Sequence, residues 1–295
     1  NMKRNAASRI IINIAIITVL TAILICGITN SRILGNSVFN IGNLINMGST
    51  SDYSTDTLIL SPDKIDSVEI SWISGEINIC QSKDEYFHAE DDYTGNKEKL
   101  MLCWKLEEKT LKIAFGKASR FSFWNNYKDK KLDLYIPEAS LSGLKELEID
   151  SVSSDINIDF SENELNIKDL EVDTTSGNTN INGVFASSAN IDSVSGSISY
   201  HGRAEKISVD SVSGDTELSF DTLPLKGKFD SISGSVKLLI SGNASFSADF
   251  SSVSGKFKCD FPTTNHGDKY IYICGEGKAE LSFDSVSGDV IINQK

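Results

Sequence analysis

The sequence predicts an all-β fold, a β-helix-like solenoid, with an N-terminal transmembrane helix ahead of it. Three observations carry that prediction. A seven-residue phrase recurs down the chain, strict period-2 alternation flanks its copies, and one long uncharged apolar stretch lies near residue 20. Hydrophobic residues make up 40% and charged residues 23%, with only 4 prolines among abundant Ser, Asp, Asn and Gly, a mixture that suits a folded, turn-rich β protein better than a disordered one.

Taken in order, residues 1–9 carry Lys3, Arg4 and Arg9 and are expected to be a cytoplasmic stub. Residues 10–29 follow as a signal anchor. From Ile10 to Ile28 there is no charge, and twelve of these nineteen residues are Ile, Leu or Val. About 20 such residues cross a hydrocarbon core as a helix. At roughly −0.3 to −0.6 kcal/mol each, the twelve should outweigh the amide of Asn13. The basic flank stays inside, which places the remainder of the chain on the outer face of the membrane. A cleaved signal peptide is the competing reading, but Ile23-Leu24-Ile25-Cys26-Gly27 has no Ala-x-Ala site, and Ile25 is too large for a lipoprotein cleavage site. Residues 30–62, rich in Asn, Ser, Gly and Thr, read as a linker.

Residues 63–143 are β-like but less regular, with strands expected at Val68-Glu69-Ile70, Leu111-Lys112-Ile113 and Leu132–Ile136. Trp72, Trp104 and Trp124 all fall here, which suggests a cap on the membrane-proximal end of the solenoid. Residues 144–295 hold the regular repeats. The phrase, Asp-Ser-Val-Ser-Gly-Asp-Ile in its fullest form, has its serine and glycine at Ser153 (followed by Ser154), Ser176-Gly177, Ser195-Gly196, Ser213-Gly214, Ser233-Gly234, Ser254-Gly255 and Ser287-Gly288, with an outlying copy at Ser74-Gly75. The seven later serines are separated by 23, 19, 18, 20, 21 and 33 residues, the last step spanning an insertion at 260–279.

Each copy has strand character on both sides. Leu147 and Ile149 alternate with Glu146, Glu148 and Asp150 before the first regular corner, and Ile156 and Ile158 alternate with Asp155, Asn157 and Asp159 after it. The unit is strand, tight Ser-Gly corner, strand. One unit cannot stand alone. Burying about five aliphatic side chains yields roughly 8–15 kcal/mol, whereas ordering about 20 residues costs ~1–2 kcal/mol per residue in backbone entropy. Stacking must supply the rest, joining apolar columns into one core and lining the corner Ser and Asp up as ladders.

Charge and motif content narrow the function. All 41 acidic residues and 24 of the 28 basic ones follow residue 50, so the exported part repels phosphate backbones and is expected not to bind nucleic acid. His88, His201 and His266 are isolated and no Gly-x-Ser-x-Gly elbow occurs, which disfavours a serine hydrolase. A carbohydrate-active β-helix enzyme is the stronger enzymatic rival, but the carboxylates belong to the repeat and Arg120 and Arg203 are the only arginines beyond residue 50. Cys26, Cys80, Cys103, Cys259 and Cys274 show no C-x-x-C spacing. No catalytic, cofactor-binding or metal-ligating residues are therefore predicted. Cys259 and Cys274, which flank the final insertion, are candidates for a disulfide.

With its anchor and serial Ser-Val-Ser-Gly-Asp-Ile phrases, the chain resembles the DUF4097 family of bacterial proteins, which carries an adhesin label, over roughly residues 63–295. Ser154 in place of glycine and the long final insertion depart from the pattern. The resemblance implies a right-handed β-helix-like solenoid and a role at the cell envelope, in adhesion or in envelope-stress signalling, and it brings no catalytic residues. The expected protein is a membrane-anchored, extracytoplasmic, non-enzymatic solenoid. Its partners would be the membrane, through the N-terminal helix, and a protein or cell-wall polymer. An accessory subunit of envelope-stress signalling is the alternative.

Overall fold

The computed structural model describes residues 52–92, 101–116, 130–242, 244–265 and 270–295. The stub, the anchor and residues 30–51 of the predicted linker lie outside them, as do Arg120, Trp124 and His266. The described residues are strands, turns and two short 3-10 turns at Pro62–Lys64 and Glu138–Ser140, and no helix among them is long and apolar enough to cross a membrane.

The core of the molecule is a stack of bent β coils in parallel register. Strand β2 (Ser67–Gln81) runs through the Ser74-Gly75 corner and lies residue for residue against β7 (Glu146–Asp159), with Ser74 opposite Ser153. Strand β7 pairs with β8 (Leu165–Ser176) before the corner and with β9 (Thr179–Ser195) after it. Then β9 pairs with β10 (Ile198–Ser213), and β10 with β11 (Thr216–Phe220) and β12 (Lys226–Ser233), while β11 pairs with β13 (Val236–Ile240). Ser153, Ser176, Ser195, Ser213 and Ser233 are thereby brought opposite one another in turn.

The alternation seen in the sequence becomes columns. Val68, Leu147, Leu170, Ala189 and Ile207 stack inside one arm of the coil, next to Ile70, Ile149, Val172, Ile191 and Val209, and every one of them is buried. The other arm stacks Ile79, Ile158, Ile181, Tyr200, Leu218 and Leu238, also buried. At the far end the first arm changes to aromatic filling: Phe229 and Phe283 stack with centroids 5.0 Å apart. Gly227 makes room there, since a Cβ on it would lie 2.7 Å from the Phe229 ring.

The coils do not follow chain order to the end. Strands β18 (Ala279–Ser287) and β19 (Val290–Gln294) pair with β12 and β13, so Ser287 sits opposite Ser233. Their other edges pair with β14 (Phe246–Ser252) and β15 (Phe257–Cys259). The copy at Ser287 therefore lies between those at Ser233 and Ser254. The insertion that spacing alone marks as a loop is the crossover that makes this threading possible. On its way back it forms β16 (Thr264–Asn265) and β17 (Ile271–Cys274), and β17 covers the outer edge of β14 in antiparallel pairing. An outermost strand with an open edge is a template for aggregation, and this hairpin blunts it.

The opposite end is closed differently. Strands β5 (Thr110–Ala114) and β6 (Lys131–Ile136) form a further partial coil parallel to β2. Onto them pack β4 (Cys103–Glu107) and β3 (Phe87–Asp92), both antiparallel, and β1 (Leu58–Leu60) on β3. Leu58 is fully buried and Ser54 bridges to Trp104, so residues 54–60, which composition assigns to the linker, belong to the domain. Trp72 is wholly buried at the base of the stack, edge-on to Phe115. Trp104 is half-buried and donates its indole N–H to the Asp56 carbonyl at 2.8 Å.

Candidate functional site

The corner is built by backbone contact between coils. A Cβ added to Gly177 would lie 2.0 Å from the Ser154 carbonyl oxygen. The same clash runs up the stack, from Gly196 onto Gly177, Gly214 onto Gly196, Gly234 onto Gly214, Gly288 onto Gly234 and Gly255 onto Gly288, all at about 2 Å. At Gly75 the opposing oxygen belongs to Lys130, which takes the corner position of the partial coil. These glycines, apart from Gly255, also adopt positive φ between 103° and 157°. Ser154 does not, and it is tolerated facing Gly75.

The residue after the corner supplies rungs. Asp155 Oδ1 accepts from the Asn178 N–H at 2.8 Å, Asn178 Oδ1 from the Ser197 N–H at 3.1 Å, Asp215 Oδ1 from the Ser235 N–H at 2.9 Å, and Asp289 Oδ1 from the Lys256 N–H at 3.0 Å. Where serine occupies this place, as at Ser197 and Ser235, its shorter side chain makes no such rung. Three of the inward hydroxyls of the phrase reach the corner backbone: Thr174 Oγ1 donates to the Ser176 carbonyl at 3.0 Å, Ser231 Oγ to the Gly234 carbonyl at 3.2 Å, and Ser252 Oγ accepts from the Gly255 N–H at 2.7 Å, whereas Ser151, Ser193, Ser211 and Ser285 are buried without a hydrogen bond among the described residues. The residues marked by the sequence phrase therefore meet at one corner line. Their contacts are with each other, as in the 3.2 Å bond from Ser176 Oγ to Ser153 Oγ.

Beside this line lies a surface that the stacking creates. In-register pairing lays Asp150, Asp173, Asp192, Asp210, Asp230 and Asp284 in one column, Asp150 at its buried end and the others partly or fully exposed, flanked two residues earlier by Glu69, Glu148 and Glu171. Parallel strands are ~4.8 Å apart, a spacing at which carboxylates repel strongly where water is partly excluded. Burial, followed by neighbouring carboxylates, pushes Glu148, Asp150 and Asp192 up to about 7, and burial also raises Asp210. Lysines flank this stretch. Lys228 stands 2.6 Å from Asp230 Oδ2 and 3.4 Å from Asp210 Oδ1, and Lys112 stands 2.9 Å from Glu69. A half-buried apolar row, Val152, Val194, Val212, Ile232 and Val286, runs parallel to the acids along the corner. Sequence reasoning lines the aspartates up as a ladder but does not give their proton affinity, because that depends on how deeply the neighbouring strands bury each one.

Among the described residues, the histidines and the corner serines are not brought together. His88 stacks on Tyr135 at 4.3 Å, with Asp84 at 3.7 Å from its Nδ1, and His201 lies opposite Asn182 and Ser219, away from the corner serines. Arg203 forms a two-pronged pair with Glu164 and covers Phe185. Among the described residues, no group of three or more His, Cys, Asp or Glu is placed to hold a metal ion.

The fold and its corner define the class: an all-β solenoid of parallel coils with a glycine spine and stacked polar rows. The chain belongs to the Toastrack DUF4097 family, whose sequence profile matches residues 65–219 and again residues 186–293. Among solved structures it is similar to an adhesin candidate from Bacteroides fragilis, with 18% identity over 80% of this chain and 96% of that one and a TM-score of 0.50. It also matches an adhesin candidate from Parabacteroides distasonis (14% identity, 81% and 96% coverage, TM-score 0.41) and a candidate lipid-binding protein from the same species (17%, 81% and 95%, 0.41). At these identities the likeness is one of fold. No curated protein gives a significant sequence match.

Proposed function

We propose that this chain is a non-enzymatic binding protein of the cell envelope, held by an N-terminal transmembrane anchor with its right-handed solenoid on the extracytoplasmic side, and that the acidic column is its binding surface. The observation that carries this reading is the column itself, six aspartates from successive coils in one line beside a half-buried apolar row. Such a surface suits an extended partner bearing positive charge and some apolar groups, whether a basic protein segment or an amine-bearing wall polymer. Electrostatic complementarity of this kind sets specificity and capture rate and is weakened by salt. The adhesin candidates of similar fold point to the same kind of role.

The test is crosslinked capture from whole cells with the full chain and with an Asp192→Asn/Asp210→Asn variant. A partner held by the unmodified chain, lost from the variant and released by added salt, supports the reading. Equal capture by both proteins removes the column from the function, and a partner that is a membrane sensor kinase or transporter supports the envelope-stress alternative. Turnover of a wall polysaccharide that one carboxylate substitution abolishes would overturn the non-enzymatic assignment.

A further inference from the structure

The outermost coil contains a pair of cysteines that the fold brings to one level. Strand β15 presents Phe257 and Cys259, with Phe261 just beyond. Strand β17 presents Tyr272 and Cys274. Phe257 stacks on Tyr272 with ring centroids 4.1 Å apart and planes 14° from parallel. Two residues further along each strand come Cys259 and Cys274. Phe261, two residues beyond Cys259, packs against Phe246 at 6.2 Å, and Phe246 is the β14 partner of Cys274 in the antiparallel ladder. Cys259 is thus bracketed by two aromatic residues whose own partners are Tyr272, two residues before Cys274, and Phe246, directly opposite it. Both are thiols in this structure, Cys259 partly exposed and Cys274 buried with its Sγ 3.3 Å from the Ala244 carbonyl.

We infer that Cys259 and Cys274 are a disulfide-forming pair that fastens the crossover segment to the outermost coil when the domain meets an oxidising environment. The oxidant is an external disulfide. The accessible Cys259, as thiolate, attacks one of its sulfurs and expels the first thiol. The Cys274 thiolate then displaces the second from the mixed disulfide. One external disulfide and two protein thiols become one protein disulfide and two external thiols, so atoms and electrons balance. Burial raises both thiols above their ordinary values, Cys259 also through the nearby Cys274, so the exchange is slow at neutral pH and faster in mild alkali. The bond would matter because β15 is paired on one edge only, to β19, and the segment that follows it is held chiefly through β17.

The experiment incubates the full chain, solubilised in detergent, with oxidised glutathione, then alkylates, digests and weighs the peptides. The expected result is loss of two hydrogens in a species joining the Cys259 and Cys274 peptides, while the partly exposed Cys80 stays outside that species and the buried Cys103 alkylates only after unfolding. Proteolytic cutting within residues 260–278 should slow on the order of tenfold to a hundredfold upon oxidation. Cys274→Ser should stop at a glutathione adduct on Cys259. Recovery of both cysteines as alkylated thiols after refolding and prolonged oxidation, or as separate glutathione adducts, would overturn the inference.

Discussion

At the scale of single residues, the corner glycines matter through what faces them. Gly214 combines φ of +139° with a carbonyl oxygen 2.1 Å from where its Cβ would be, so any side chain must push two coils apart. Gly214→Ala is expected to cost about 3 kcal/mol or more in urea unfolding, as strain and lost ladder bonds combine. Gly143→Ala, at a position with nothing within 4 Å of the added Cβ and no positive φ, should change stability by less than about 0.5 kcal/mol. The contrast is the check, since equal effects at the two sites would refute a contact-based role for the corner. The buried Lys130 makes a related point at the base of the stack. Its ammonium bonds the Phe115 carbonyl at 2.7 Å and Asp91 at 3.1 Å, and it lies over the Trp72 and Phe115 rings, so this charge is paired as burial requires.

At the scale of elements, strands and corners were legible in the sequence because each is encoded locally. Alternating residues such as Leu147 and Ile149 define the buried face, and Ser-Gly defines the bend. The order of the coils was not legible. Every copy offers nearly the same edge to its neighbours, so Ser233 could be followed in space by Ser254 or by Ser287, and only the crossover after Cys259 decides. The early strand β1 is not legible for a related reason: three residues, Leu58–Leu60, among Ser, Thr and Asp carry too little periodicity to register. Because β18 and β19 are interior, truncation after residue 278 should remove one coil and detach another. Amides of β14 and β15 should then exchange as fast as exposed ones although those strands remain in the chain, measured by hydrogen exchange. Retained protection there would contradict the threading.

At the scale of the whole molecule, the acidic column makes stability depend on pH in an unusual sense. Glu148, Asp150 and Asp192 bind protons more tightly folded than unfolded, so between their ordinary carboxylate values, near 4, and about 7 the native state holds the extra protons. Stability from this source is complete at the acid end of that window and is lost as pH rises through 7. Below about 4 the opposite groups take over. Asp66, Asp221 and Asp289, held low by lysine and other hydrogen-bond partners, lose their contribution as they protonate. Thermal midpoints should therefore be higher near pH 5 than at pH 8. Asp192→Asn should narrow that gap and stabilise the protein at pH 8, by on the order of 1–3 kcal/mol, by relieving repulsion in the column. A midpoint that rises steadily from pH 5 to pH 8 would contradict this account. The repeat phrase is enough to line these acids up, but the burial that raises their proton affinity is set only by the packed coils.

The interior position of the last coil also fixes how the molecule meets mechanical load. A terminal strand at the rim of a sheet unzips one bond at a time. Here β18 and β19 are gripped along both edges, so tension on Lys295 must slide a strand past two neighbours at once, engaging many backbone bonds together. Strands β18 and β19 are thereby the wedge that locks the pile.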